Sequence, residues 1–157
     1  DDLCTVLIFL DDVTLDNGPL EVVPGTHRGD IYTLWHDGVF TGAVDAAIED
    51  KHRPQALKCT GMAGDACLMH SRLLHGSLPN LTDSPRRLFI VTYAAEDAIA
   101  LTANQVPHKF DGEIVRGVAT GRIRASNYQL DMPEYPKTVS FFGQQARVKT
   151  ATPTGTA

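Results

Sequence analysis

The spacing of the apolar runs restricts the fold of this chain more than any other feature. Leu3 to Leu10, Gln55 to Thr60, Asp65 to His70 and Leu88 to Ala94 are short and largely apolar. Each is bounded by residues that break regular structure: Asp11-Asp12, Asp16-Asn17-Gly18-Pro19, Pro24-Gly25, Gly61-Met62-Ala63-Gly64, and the polar stretch Leu78 to Pro85. Runs of this length between Gly, Pro, Asn and Asp clusters are strand signals. Leu20 to Val23 is a further strand. Across the Asn17-Gly18 turn it is expected to pair with Leu3–Leu10 as an antiparallel hairpin. Short strands at close spacing predict an all-β sandwich or closed roll.

Residues 28–56 depart from this pattern. Gly29, Gly38 and Gly42 punctuate a stretch that contains Trp35 and Phe40. Val44 to Lys51 is expected to form a short helix with Val44, Ala47 and Ile48 on one face. The region is predicted to be a long excursion from the sheets, of the kind that borders binding sites. Towards the C-terminus, Ile114-Val115 and Tyr128-Gln129-Leu130 are expected to be short extended pieces, while Pro107, Pro133 and Pro136 oppose longer elements. Residues 1–145 are expected to form one core, and 146–157, small and polar, a flexible tail.

Composition narrows the function classes. A net charge of −5 argues against a protein built to grip phosphate backbones, so no nucleic-acid partner is expected. The longest aliphatic run, Val6 to Leu10, is far shorter than the roughly 18 residues that span a bilayer, so no membrane partner is expected either. Cys4, Cys59 and Cys67 are odd in number and contain no CxxC pair. That excludes a disulfide framework and a Cys-rich zinc site, and points to a reducing, cytoplasmic location. Cys59 and Cys67 have the setting of small buried hydrophobes. The chain opens on Asp1 and runs almost at once into an apolar strand, which is expected of a fragment of a longer protein.

Candidate chemistry centres on His75-Gly76-Ser77, which follows the strand Ala66–Met69 and precedes a polar loop. Arg86 lies eleven residues beyond His75, at the start of the next strand. If the strands before and after this segment form a hairpin, imidazole and guanidinium meet at its loop end. A dicarboxylate then bridges them, one end on a metal held by His75 and the other clasped by Arg86. On its own a histidine at a strand end is ordinarily a surface residue, and paired arginines at a strand start are ordinarily a solvated edge. Asp11-Asp12 have the setting of turn residues. His27 is expected to be structural. His36, His52 and His108 have no partner at ligand spacing. His70, five residues before His75, falls on the opposite face of a continuous strand, which opposes a two-His chelate. Trp35, Phe40 and Arg122 are candidates for lining a substrate site, with ordinary packing or solvation as the competing roles.

The segment Leu10 to Gly29, with its acidic pair, its Asp-Asn-Gly and its Val-Val-Pro-Gly-Thr-His turn, resembles the phytanoyl-CoA dioxygenase family. So does the second block, Gly64-Asp65, His75-Gly76-Ser77, Asn80, Thr82 and Arg86. The resemblance is clear over residues 3–94 and weaker to about 145. It implies a double-stranded β-helix (jelly roll) with a long loop and short-helix insertion. It also implies Fe(II) held by two His and one carboxylate, with 2-oxoglutarate as cosubstrate and O2 as oxidant. Carried over by position, His75 is the distal iron ligand, Arg86 grips the far carboxylate of 2-oxoglutarate and Ser77 assists. The family's HxD motif does not occur in the 157 residues. Asp1 or Asp2 is the expected HxD aspartate, with its histidine ahead of the chain. The activity implied is hydroxylation of a small organic substrate. Two alternatives are a cupin-like metal enzyme that does not oxidise and a non-catalytic jelly roll that binds a small ligand or a partner. Neither the substrate nor the oligomeric state is legible in the sequence.

Overall fold

The computed structural model describes residues 3–98, 100, 104 and 107–124. The chain divides into two compact units. One comprises residues 1–30, 52–99 and 114–126, and the other residues 31–51, 100–113 and 127–157.

The first unit holds two three-stranded antiparallel sheets. In one, β1 (Leu3–Phe9) lies between β6 (Ala66–His70) and β8 (Leu88–Ala94). In the other, β2 (Leu20–Val22) lies between β5 (Leu57–Cys59) and β7 (His75–Ser77). The chain changes sheet between β1 and β2, between β5 and β6, and at each step from β6 to β8. This alternation marks a double-sheet roll. The all-β expectation therefore holds.

The strand pairings differ from those expected. Leu3–Leu10 and Leu20–Val23 are not hairpin partners, because β1 and β2 belong to different sheets. The reason lies in Asn17, which is buried. Its Oδ1 accepts the Thr14 N–H at 2.8 Å and its Nδ2 donates to the Asp12 carbonyl at 2.8 Å. Val13 bridges to Gly61. The segment is a folded crossover, not a two-residue turn. The strands on either side of His75-Gly76-Ser77 are not a hairpin either. β6 and β8 flank β1 on opposite sides, and β7 lies in the other sheet.

Alternation along the strands places the core between the two sheets. Leu7, Phe9, Val13 and Leu20 are buried together, with Val22, Cys59, Cys67, Met69 and Leu88 packed against them. Register agrees with this face. Leu7 opposes Cys67 and Ile90, Phe9 opposes Leu88, and Leu20 opposes Cys59. Directly opposed residues of an antiparallel pair share one side of the sheet. Cys59 and Cys67 thus serve as small apolar packing groups, half-buried against the core rather than buried within it. Burial first and the neighbouring Cys67 second push the Cys59 thiol up to about 11.

The second unit contains the short pair β3 (Trp35–His36) and β4 (Val39–Phe40), joined by a tight turn with positive φ at Asp37 and Gly38. Trp35 and Phe40 face each other with ring centroids 5.5 Å apart. Phe40 is buried, so its role is packing. Helix α1 (Ala46–His52) follows, close to the helix expected over Val44–Lys51. The Asp45 carboxylate accepts the Ala47 N–H at 2.7 Å and so holds its first turn. Residues 28–56 are the excursion expected. Ile114 and Val115 form no strand. Tyr128–Leu130 and the tail 146–157 lie outside the described residues.

Candidate active site

β7 is three residues long, yet fixed at both ends. Val22 opposes His75 and Leu20 opposes Ser77 across the sheet. Val22 and Leu20 face the core, so His75 and Ser77 project from that same side of the sheet. Both residues are nonetheless exposed, which places them at an open end of the space between the sheets.

The hydrogen bonds of the His75 ring decide what it can do. Its Nδ1 lies 2.7 Å from the Leu73 carbonyl oxygen. A carbonyl only accepts, so Nδ1 carries the hydrogen and donates. The neutral ring then offers its lone pair at Nε2. A histidine held in this way is prepared as a metal ligand, because the donated hydrogen fixes both tautomer and ring orientation. His70 is prepared in the opposite sense: its Nδ1 accepts the Arg72 N–H at 3.0 Å. Its ring stacks, tilted by 33°, on that of His27 at 5.4 Å. His108 likewise accepts a backbone N–H, from Phe110, through Nδ1. Among the described residues no three His, Cys, Asp or Glu side chains converge to hold a metal. The His75 ring thus leaves Nε2 as its acceptor nitrogen, and the described residues bring no complete ligand set to it. Asp1 and Asp2 lie outside them.

The two arginines separate cleanly. Arg87 forms a bidentate pair with Asp11, Nε to Oδ2 at 2.9 Å and Nη2 to Oδ1 at 2.7 Å, while its backbone N–H also reaches Oδ2 at 2.7 Å. The guanidinium first and the backbone N–H second hold the Asp11 carboxyl at about 2, below its ordinary 3.8. Asp12 accepts the Ala63 N–H at 2.8 Å. The acidic pair thus ties three loops together, a more specific task than turn formation. Arg86 is half-buried. Among the described residues no hydrogen bond or ion pair engages its guanidinium.

Loop packing brings the two sequence blocks together. At the far end of β7, a Cβ on Gly18 would meet the Leu78 carbonyl oxygen at 2.7 Å and the Asn80 nitrogen at 3.2 Å. The Leu81 N–H donates to the Asp16 carbonyl at 2.9 Å. Asn80 then organises the next loop, its Nδ2 on the Ser84 carbonyl at 2.7 Å and its Oδ1 accepting the Thr82 N–H at 2.9 Å. The sequence marked Arg87 only as one of a pair at a solvated strand edge, and suggested no role for Thr26. Thr26 donates to the Val23 carbonyl at 2.8 Å and accepts the Leu74 N–H at 2.9 Å, just ahead of His75.

Residues 1–88 match the family model described as Phytanoyl-CoA dioxygenase (PhyH). The chain belongs to this family. Over 151 residues it is 34% identical to a protein of Stutzerimonas stutzeri named "Probable alpha-ketoglutarate-dependent hypophosphite dioxygenase", with 92% of this chain and 51% of the relative covered. It is 30% identical to the L-proline trans-4-hydroxylase of Streptomyces griseoviridis, with 59% and 40% covered. The crystal structure of EctD from S. alaskensis with 2-oxoglutarate and 5-hydroxyectoine superposes with a TM-score of 0.51 at 31% identity, covering 60% of this chain and 31% of that one. The chain thus spans about half the length, or less, of the curated relatives it matches. With these relatives, the two facing sheets are those of a jelly roll. Among the described residues no helix is long and apolar enough to cross a membrane.

Proposed function

We propose that the protein is an Fe(II)- and 2-oxoglutarate-dependent dioxygenase that hydroxylates a small organic molecule. The observation that carries this reading is the His75 ring, which donates through Nδ1 to the Leu73 carbonyl and so keeps Nε2 as the acceptor, at a strand position opposite core-facing Val22. His75 would be one iron ligand, Asp1 or Asp2 the carboxylate ligand, and the HxD histidine the third. Bound iron would supply the activation of O2, coupled to oxidative decarboxylation of 2-oxoglutarate to succinate.

The chain's own residues bind and orient. Arg86 stands two residues ahead of Leu88, whose side chain packs on the core. An extended backbone puts both on one side. Arg87 is committed to Asp11, so Arg86 is the guanidinium left to clasp the distal carboxylate of 2-oxoglutarate. Ser77, on the His75 side of the same strand, adds a hydroxyl to that carboxylate. Three free cysteines fit a reducing, cytoplasmic setting.

The test is succinate release from 2-oxoglutarate by the full-length gene product with Fe(II), with and without O2. Oxygen-dependent succinate that disappears in His75→Ala is expected. Metal-dependent turnover without O2 uptake would replace this reading with the cupin-like one, and binding of 2-oxoglutarate without metal would replace it with a binding module.

A further inference from the structure

We infer that Thr26 is a positioning residue for His75, acting through the peptide group between Leu73 and Leu74. This inference rests on the reading of His75 as a metal ligand and adds to it the device that aims the ring. The Leu74 N–H donates to Thr26 Oγ1 at 2.9 Å. The Leu73 carbonyl, which accepts from His75 Nδ1 at 2.7 Å, belongs to the same peptide unit. That unit is planar and stiff. Whatever fixes its N–H edge also fixes the direction of its carbonyl edge.

Thr26 is itself fixed. Its hydroxyl hydrogen is spent on the Val23 carbonyl at 2.8 Å, leaving the oxygen to face the Leu74 N–H as an acceptor. Val23 is buried and donates its own N–H to the Leu74 carbonyl at 2.9 Å. The result is a directed chain: Thr26 hydroxyl to Val23 carbonyl, Leu74 N–H to Thr26 oxygen, His75 Nδ1–H to Leu73 carbonyl. Each donor in such a chain polarises the next, so the Leu73 carbonyl becomes a better acceptor and the His75 Nε2 a better donor to a metal. The His70 side of the same loop is held separately, by the Leu73 N–H on the His70 carbonyl at 2.9 Å. Among the described residues, Thr26 is the group that accepts the N–H edge of the peptide whose carbonyl faces His75.

The test is the affinity of the metal-free, full-length gene product for Co(II), read from its visible absorbance, together with the melting temperature of the metal-free protein. Thr26→Val keeps the shape and removes both hydrogen bonds. Its Co(II) affinity is expected to fall about tenfold, the lower end of what the loss of a ligand-orienting partner costs. Thr26→Ser restores the hydroxyl and is expected to bind within about twofold of the parent protein. Thr26→Cys, with a weaker acceptor, is expected to fall between them and decides the matter if the valine variant does not fold. A purely structural threonine would lower the melting temperature and leave the Co(II) affinity of the folded protein unchanged, which overturns the inference. His75→Ala separates the two levels. If it binds Co(II) as tightly as the parent protein, the ligand reading of His75 fails. If it loses Co(II) while Thr26→Val and Thr26→Cys do not, only the role of Thr26 fails.

Discussion

Of the two adjacent arginines, Arg87 is the one that meets a carboxylate among the described residues. Arg87 meets Asp11 in a fork at 2.7 and 2.9 Å, and this pair gives the fold an acid-sensitive joint. The folded carboxyl sits at about 2, below its ordinary 3.8. Its stabilising effect is therefore complete above the unfolded value and is lost as pH falls from about 4 towards 2. Asp11→Asn is expected to melt below the parent protein near neutral pH, with the gap closing as the pH approaches about 2. The Arg87 side of the pair is exposed, so raised salt is expected to narrow the gap as well. Melting curves across that pH range at two salt concentrations check both statements. Arg86 is expected to behave in the opposite manner. Arg86→Ala should leave the melting temperature nearly unchanged and raise the KM for 2-oxoglutarate about tenfold or more, since a charge-assisted bidentate contact contributes about 1.5–3 kcal/mol. Steady-state kinetics with varied 2-oxoglutarate, compared with Arg87→Ala, distinguish the two residues.

At the scale of elements, β7 is too short to hold itself in place. Its three residues are held because the Asp16–Arg28 segment grips both ends, through Thr26 before it and through Asp16 and Gly18 after it. Gly18 has φ +79° and no room for a Cβ against the Leu78 carbonyl. Gly18→Ala is expected to destabilise the protein by about 2 kcal/mol or more, from left-handed backbone strain plus displacement of a packed loop. It is also expected to weaken metal binding through β7, while Gly25→Ala, with positive φ but open space around it, shows the strain alone. Denaturant unfolding of both variants separates the terms. This grip explains what was legible in the sequence and what was not. The strands were legible because apolar runs between breakers are a local signal. Their pairing was not: whether β1 meets β2 across Asn17-Gly18 depends on Asn17 turning its amide back onto Asp12 and Thr14, and composition alone does not report that. The inferred neighbourhood of His75 and Arg86 rested on a hairpin that does not form. His75 lies in the sheet of β2, while Arg86 leads into β8 of the other sheet, because the chain switches sheet after β7.

For the whole molecule, the decisive property is that its ligands would bridge both sheets. His75 stands on the sheet of β2, and Arg86 leads into the sheet of β1. A metal-bound 2-oxoglutarate held at one end by His75's iron and at the other by Arg86 would tie those sheets together in the folded state alone. Binding confined to the folded state raises stability by mass action, by about 2.7 kcal/mol at a hundredfold excess over Kd. For a domain of 150–250 residues that corresponds to a rise in Tm of roughly 5–10 °C. The full-length gene product is therefore expected to melt higher with Mn(II), a non-oxidising stand-in for Fe(II), and higher again with Mn(II) and 2-oxoglutarate together. Excess EDTA is expected to remove both increments. Arg86→Ala should keep the metal increment and lose most of the second, whereas His75→Ala should lose both. A rise with 2-oxoglutarate that survives EDTA would mean that the acid binds without metal, and the non-catalytic binding module would then be the better description of this jelly roll.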